Sequence, residues 1–190
     1  MDRKHESILN LAQNFPHNSK PTSMYFHAPL MYMWCKQAMA RNILEIGIAS
    51  GYSSYWLGQA AKEAGGKYFG VEIHQGRAAA IGKGMEQLGI PYDIWAMDSK
   101  TMTEEFVKEK MESLDFCFLD GDHSPEAVLH EVEILYPYLV GKGRGYFFIH
   151  DIYSASRDAW AEIKREQKYQ FEIIGIMNNF GMGILRKIGV

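Results

Sequence analysis

Two short acidic runs hold the residues most able to do chemistry in this chain of 190 residues. Asp120-Gly121-Asp122-His123 and His150-Asp151 each close an apolar stretch, over 114–119 and 144–149, that reads as a buried strand. In an open parallel sheet, ligands sit beyond the carboxyl ends of the strands, where these side chains fall. Several carboxylates cannot all stay ionised at close range without a compensating cation, so Asp120, Asp122, Asp151 and His150 are candidate ligands of a divalent metal. Hard oxygen donors favour Mg²⁺, and an imidazole in the set would admit Mn²⁺ or Fe²⁺. His123 has a side chain suited to take a proton from a hydroxyl, with an ordinary pKa of about 6.5. The competing role for it is structural, ordering the loop or capping the helix that starts near Ser124-Pro125.

A second constellation lies upstream. In Asn42-Ile43-Leu44-Glu45-Ile46-Gly47-Ile48-Ala49-Ser50-Gly51-Tyr52-Ser53, an apolar strand breaks into a glycine-bearing turn and then a helix start. Gly47 and Gly51 allow close backbone approach to a ligand, Ala49 lies between them, and Ser53 reads as the helix N-cap. Glu45, inside the strand end, is expected to accept hydrogen bonds from the turn's backbone amides or from a ligand ammonium, because an unpaired carboxylate there would be costly. Glu72 ends the next strand, Tyr68-Phe69-Gly70-Val71-Glu72, where a carboxylate can accept both hydroxyls of a ribose, with Ile73 beside it. Asp98-Ser99 ends the third strand and suits the adenine of the same ligand. The turn has neither the G-x-G-x-x-G of a dinucleotide site nor the terminal Gly-Lys-Ser/Thr of a P-loop, which argues against a nicotinamide oxidoreductase and a nucleoside triphosphatase.

The spacing Glu45-x-Gly47-x-x-x-Gly51 resembles motif I of the class I S-adenosylmethionine-dependent methyltransferases. The resemblance implies that the glycines face the methionine and ribose portions of S-adenosylmethionine, that Glu72 takes the ribose diol, and that Asp98 and Ser99 flank the adenine. From about residue 42 to residue 152 the chain is similar to the metal-dependent O-methyltransferases of the catechol, caffeoyl-coenzyme A and antibiotic-sugar kinds. That similarity implies Asp120 and Asp151 as metal ligands, with Asp120 shared with the cofactor, and His123 where the catechol-type enzymes carry a lysine base. Their third ligand is often an Asn or Asp directly after the second aspartate. Ile152 stands there in this chain, which leaves Asp122 or His150 as the third ligand. The implied function is metal-assisted methyl transfer to a hydroxyl of a small molecule. The alternatives are a metal-independent N- or O-methyltransferase using His123 or His150 as a plain base, and a catalytically silent partner or sensor that binds S-adenosylmethionine.

The elements that must position these residues alternate. Strand candidates at 67–73, 91–97, 114–119 and 144–149 are separated by helical segments at 53–63, 75–88, 101–112 and 124–138, which demands a mostly parallel, doubly wound Rossmann-like sheet. The stretches 169–174 and 183–187 read as an antiparallel pair, and the resemblance implies a seven-stranded sheet whose last strand is antiparallel. Residues 1–41 are expected to form a helical extension or lid, with helices near 3–13 and 28–40, on a core spanning 42–190 within one domain. Met31, Tyr32, Met33 and Trp34 in the second of these helices suit core packing, and otherwise a lid or a dimer face.

A content of 47% hydrophobic and 23% charged residues with net charge −3 describes a globular chain without the basic field that holds a nucleic-acid backbone. Cys117 lies in an apolar run and reads as a buried free thiol, consistent with a reducing, cytoplasmic setting. No segment approaches the roughly 20 apolar residues of a membrane span. The expected partners are a small-molecule acceptor and, from base rates, a second copy in a homodimer.

Overall fold

The computed structural model describes residues 24–166, 168–177 and 180–189, so the helix expected at 3–13 lies outside the described residues. Helix α1 (Met24–Ala38) leads into β1 (Asn42–Ile46), and the chain then alternates through α2 (Tyr52–Glu63), β2 (Lys67–Glu72), α3 (Gln75–Gln87) and β3 (Tyr92–Ala96). It continues with α4 (Glu104–Lys110), β4 (Phe116–Leu119), α5 (Pro125–Leu135), β5 (Gly145–His150), α6 (Arg157–Arg165), β6 (Phe171–Ile176) and β7 (Met182–Lys187). The seven strands form one sheet in the order β3-β2-β1-β4-β5-β7-β6. Strands β1 to β5 pair in parallel, and β7 inserts antiparallel between β5 and β6. The expected doubly wound sheet with an antiparallel last strand is the fold adopted. Strand order reverses between β1 and β4, and that switch point opens a crevice at their carboxyl ends.

Alternation along the strands distributes the core between two layers, because successive side chains point to opposite faces. Phe116 and Phe118 of β4 join Ile43, Tyr55, Tyr68 and Phe148 on one side. Cys117 and Leu119 join Leu44, Ile46, Phe147 and Ile149 on the other. All four β4 side chains are buried, as a continuous apolar run in a sheet covered on both faces requires. Cys35 and Cys117 are buried free thiols, and burial raises the pKa of both.

Local chemistry sets the helix limits. Helix α4 begins at Glu104 rather than 101 because the Thr103 hydroxyl caps it, accepting from the Phe106 amide at 3.2 Å. Residues Ser99–Thr101 form a 3₁₀ turn ahead of it. Helix α5 is capped by Ser124 with Pro125 in its first turn, and beyond Leu135 it continues only as a 3₁₀ turn through Tyr136–Tyr138, where Pro137 has no N–H to extend the ladder.

Helix α1 packs through part of its aromatic cluster. Met31 is buried, while Trp34 lies edge-on to Tyr146 and Phe148 at centroid distances of 5.9 and 5.6 Å. Met33, in contrast, is 67% exposed. No described helix is long and apolar enough to cross a membrane. Phe148 links this helix to the sheet, since it also meets Phe116 at 4.6 Å. Phe148→Ala is therefore expected to lower the unfolding free energy by about 3–5 kcal/mol in chemical denaturation. A loss below about 1 kcal/mol would mean that this contact does not anchor α1.

Candidate active site

The first wall of the site is the turn after β1. Gly47 has φ +86°, and a Cβ on it would overlap the Asp120 carbonyl, so glycine is required for β1 and β4 to approach at the switch point. The close approach expected toward a ligand is thus also an approach to protein backbone. Ala49 is left-handed as well, at φ +46°, and its amide donates to Glu72 Oε2 at 2.9 Å. Strain of this kind in a residue carrying a Cβ is tolerated where surrounding contacts fix it, often at functional sites.

Two expectations about this turn are corrected. The N-cap of α2 is Gly51, left-handed at φ +77°, and not Ser53. Ser53 lies one step inside the helix and donates its hydroxyl to Glu45. Glu45, wholly buried, accepts from Ser53, from Ser54 at 2.6 Å and from Tyr68, and so takes side-chain hydroxyls in place of backbone amides. Burial drives its pKa up to about 7, partly offset by these three hydrogen bonds, with the Asp120 charge adding to the rise. Neither Gly51 nor Ser53 is among the residues lining the cleft described next.

A cleft of about 310 Å³ runs along the carboxyl ends of β1 to β4. Gly47, Ala49, Glu72, Ile73, Asp98, Ser99 and Asp120 line it, and Lys100 and Asp122 stand at one side. Glu72 accepts from the Ala49 and His74 amides, each at 2.9 Å, which leaves lone pairs on both oxygens for a diol. Ile73, 63% exposed, offers an apolar surface beside it. Asp98 caps the following turn by accepting from the Lys100 amide at 3.0 Å, while Ser99 Oγ donates to the buried Glu131 at 2.6 Å. Asp122 pairs with Lys100 at 2.8 Å, and that contact holds its carboxyl down at about 2. It is thereby committed to the rim of the cleft.

Asp120 forms both the end of this cleft and the start of a polar knot. Asp120 Oδ1 lies 2.9 Å from His150 Nδ1, and Asp151 Oδ1 lies 3.0 Å from the same nitrogen. Burial lowers the pKa of this imidazole, but the Asp120 hydrogen bond and the two carboxylate charges outweigh it, and the net direction is upward. His150 Nε2 is 3.2 Å from Nδ1 of His27, a fully buried residue of α1. His123 Nε2 faces the same carboxylates, 3.6 Å from Asp151 Oδ2 and 3.9 Å from Asp120 Oδ1. Its Nδ1 is held by Ser156 Oγ at 3.2 Å, and Ser124 caps α5, so the helix does not need His123. Asp151 adopts a left-handed backbone, φ +61°, and its carbonyl accepts from the Ser154 and Ser156 amides at 2.9 and 3.0 Å.

Among the described residues no group of three or more His, Cys, Asp or Glu side chains is arranged to hold a metal ion. Asp122 pairs with Lys100, His150 Nδ1 lies against both carboxylates, and Ile152 at the remaining position is an apolar residue in the core. S-adenosylmethionine, in contrast, fits the residues present: a turn open enough for its methionine end, a carboxylate with free lone pairs, and an apolar shelf.

His27, Ser156 and Glu131 escape sequence reasoning. His27 and His150 are separated by 123 positions and meet only because α1 folds over the end of β5. Trp160 is buried against Gly183 and belongs to the core.

Residues 44–152 match the family model described as a methyltransferase domain. A catechol O-methyltransferase of Niastella koreensis is 28% identical over 88 residues, which cover 45% of this chain and 39% of that protein, so the match spans well under half of that relative's length. The O-methyltransferase from Bacillus cereus, solved in complex with SAH, superposes with a TM-score of 0.71 at 18% identity, covering 98% of this chain and 92% of that one. The O-methyltransferase TomG from Streptomyces achromogenes, involved in tomaymycin synthesis and solved with SAM, gives 0.73 at 15% identity, covering 100% and 91%. The fold and the family model define a Rossmann-like methyltransferase domain of the class I kind. The chain belongs to the methyltransferase-domain family, and its similar proteins include O-methyltransferases.

Glu131 provides a test of the adenine end. Burial raises its pKa from 4.5 to about 8, with Asp122 and Asp98 adding to the rise against the Ser99 hydrogen bond. A raised carboxyl stabilises the fold fully below pH 4.5 and loses that contribution as pH climbs toward 8. Glu131→Gln keeps an acceptor for Ser99 but cannot ionise. The variant is therefore expected to gain melting temperature over wild type progressively from pH 4.5 to 8. Parallel stability curves across that window would count against a buried, uncharged Glu131.

Proposed function

We propose that this protein transfers a methyl group from S-adenosylmethionine to a hydroxyl of a small molecule. The observation that carries the reading is Asp120, which ends the cleft and also faces His123, an imidazole partly open to solvent beside two carboxylates. Glu72 binds the ribose diol, Asp98 and Ser99 meet the adenine, and the backbone of Gly47 and Ala49 lies along the methionine end. Bound there, the cofactor supplies a sulfonium-activated methyl group for in-line displacement. His123 takes the hydroxyl proton at Nε2, Ser156 fixes the ring through Nδ1, and Asp151 with Asp120 stabilises the imidazolium that forms. Positioning supplies much of the remaining rate enhancement, since donor and acceptor are held in one orientation.

Of the two third ligands expected from the sequence, Asp122 pairs with Lys100, while His150 stays beside Asp120 and Asp151. A base acting without a metal accords better with the contacts of His123. The start of α1 faces the acceptor side: His27 reaches His150, while Tyr25 stacks on Tyr52 at 6.1 Å and Phe26 is 64% exposed. These aromatic side chains suit a planar acceptor.

Calorimetric titration with S-adenosylhomocysteine tests the cofactor assignment. One site per chain is expected, with Glu72→Gln weakening it about tenfold or more, the scale of a lost charged hydrogen bond. Absence of binding to wild type would refute the reading. For the base, His123→Ala is expected to leave that affinity unchanged and to lower kcat by about 10²–10⁴-fold on a phenolic acceptor panel. A variant with wild-type turnover would remove His123 from the mechanism.

A further inference from the structure

We infer that the outer edge of β6 is a docking strand for a second copy of this chain, the two β6 strands pairing antiparallel about Ile173 across a two-fold axis. Strand β6 is last in the sheet order, so among the described residues nothing pairs with its outer side. The register with β7 sets which backbone groups face outward. The Ile188 amide donates to the Gln170 carbonyl at 2.9 Å, which makes Gln170 and Ile188, one step beyond Phe171 and Lys187, a hydrogen-bonded pair. Such pairs alternate along an antiparallel ladder. Glu172, Ile174 and Ile176 therefore turn their backbone groups to β7, while the N–H and C=O of Phe171, Ile173 and Gly175 point away from it. An unpaired row of this kind is a template for another strand.

The strand's own sequence selects a second copy as the occupant. The outward residues lie symmetrically about Ile173, so an antiparallel copy centred there joins Phe171 to Gly175, Ile173 to Ile173 and Gly175 to Phe171, and satisfies every outward group on both strands. In that register Glu172 faces Ile174 of the copy and not another Glu172, so no like charges meet. Its charge is already matched within the chain by Arg186 at 2.8 Å. Ile173 and Ile174, on opposite faces of the strand, are 43% and 45% exposed, and the copy's side chains cover both. The other edge of the sheet is built differently. Strand β3 is preceded by Pro91 and carries Asp93 in an ion pair with Lys67, and proline and charge are devices that keep an edge from pairing. Strand β6 has no proline and no lysine. Two-fold pairing closes after two copies and leaves one sheet running through both chains.

Sedimentation velocity on the full-length protein over about 1–100 μM tests association, and cysteine cross-linking tests the register. Wild type is expected to form a dimer. Ile173→Lys sets two ammonium groups opposite each other and is expected to weaken it by about tenfold or more. Under mild oxidation Ile173→Cys is expected to give a disulfide-linked dimer and Ile174→Cys is not, because only residue 173 meets its own copy within the roughly 7 Å between Cα atoms that a disulfide spans. Cys35 and Cys117 are buried and do not compete. A monomeric wild type throughout this range would overturn the inference, as would a dimer that Ile173→Lys leaves intact or equal cross-linking at both positions. Where Ile173→Lys does not fold, the wild-type sedimentation and the two cysteine variants still decide. Neither readout involves S-adenosylmethionine, so the outcome is independent of the methyl-transfer reading.

Discussion

Glu45 is the constraint on which the site depends. A carboxylate wholly enclosed by a sheet is unfavourable unless its lone pairs are satisfied, and here three hydroxyls from two neighbouring elements do so. Ser53 and Ser54 come from the first turn of α2 and Tyr68 from β2, so one side chain of β1 ties the helix and the adjacent strand to the turn between them. With both flanks held, the turn can keep three left-handed residues, Gly47, Ala49 and Gly51, in five positions. The Ala49 amide then meets Glu72, so the same contacts that shape the turn also set the carboxylate at the end of β2.

Asp120 joins that cradle to the second polar centre. It follows β4 at the switch point, where the absence of a side chain on Gly47 lets its backbone pass close to β1. From there its carboxylate faces the cleft on one side and His150 and His123 on the other. The two histidines have different surroundings. His150 is enclosed and bound at both ring nitrogens, which suits it to organise charge. His123 is more open, with Nδ1 held and Nε2 turned to the carboxylates, which suits it to exchange a proton.

Much of the fold was legible from apolar runs and their punctuation. Phe116-Cys117-Phe118-Leu119 reads as a strand buried on both faces because it has no polar alternation, and Ser124-Pro125 marks a helix start by its capping chemistry. Strand-end acids also followed from position alone, since Glu72, Asp98 and Asp120 line one cleft. Ser53 was misread because a serine near a helix start usually caps its own backbone, whereas this one serves a buried carboxylate eight residues earlier. Asp122 is placed by its chain position among potential metal ligands, and in the fold it pairs with Lys100, 22 residues away.

By itself, then, the sequence determined the class of sheet and the order in which its acids reach the ligand edge, whereas the cofactor was implied by the resemblance of the Glu45-Gly47-Gly51 turn to a family motif. The first two depend on local patterning and on the period of a strand, which a linear chain carries in full. Only the tertiary structure decided what surrounds each charge. His150, which lies against Asp120 and Asp151, also meets His27 of a helix 123 residues earlier. No spacing rule encodes such a meeting, because it is produced by the packing of α1 across the sheet.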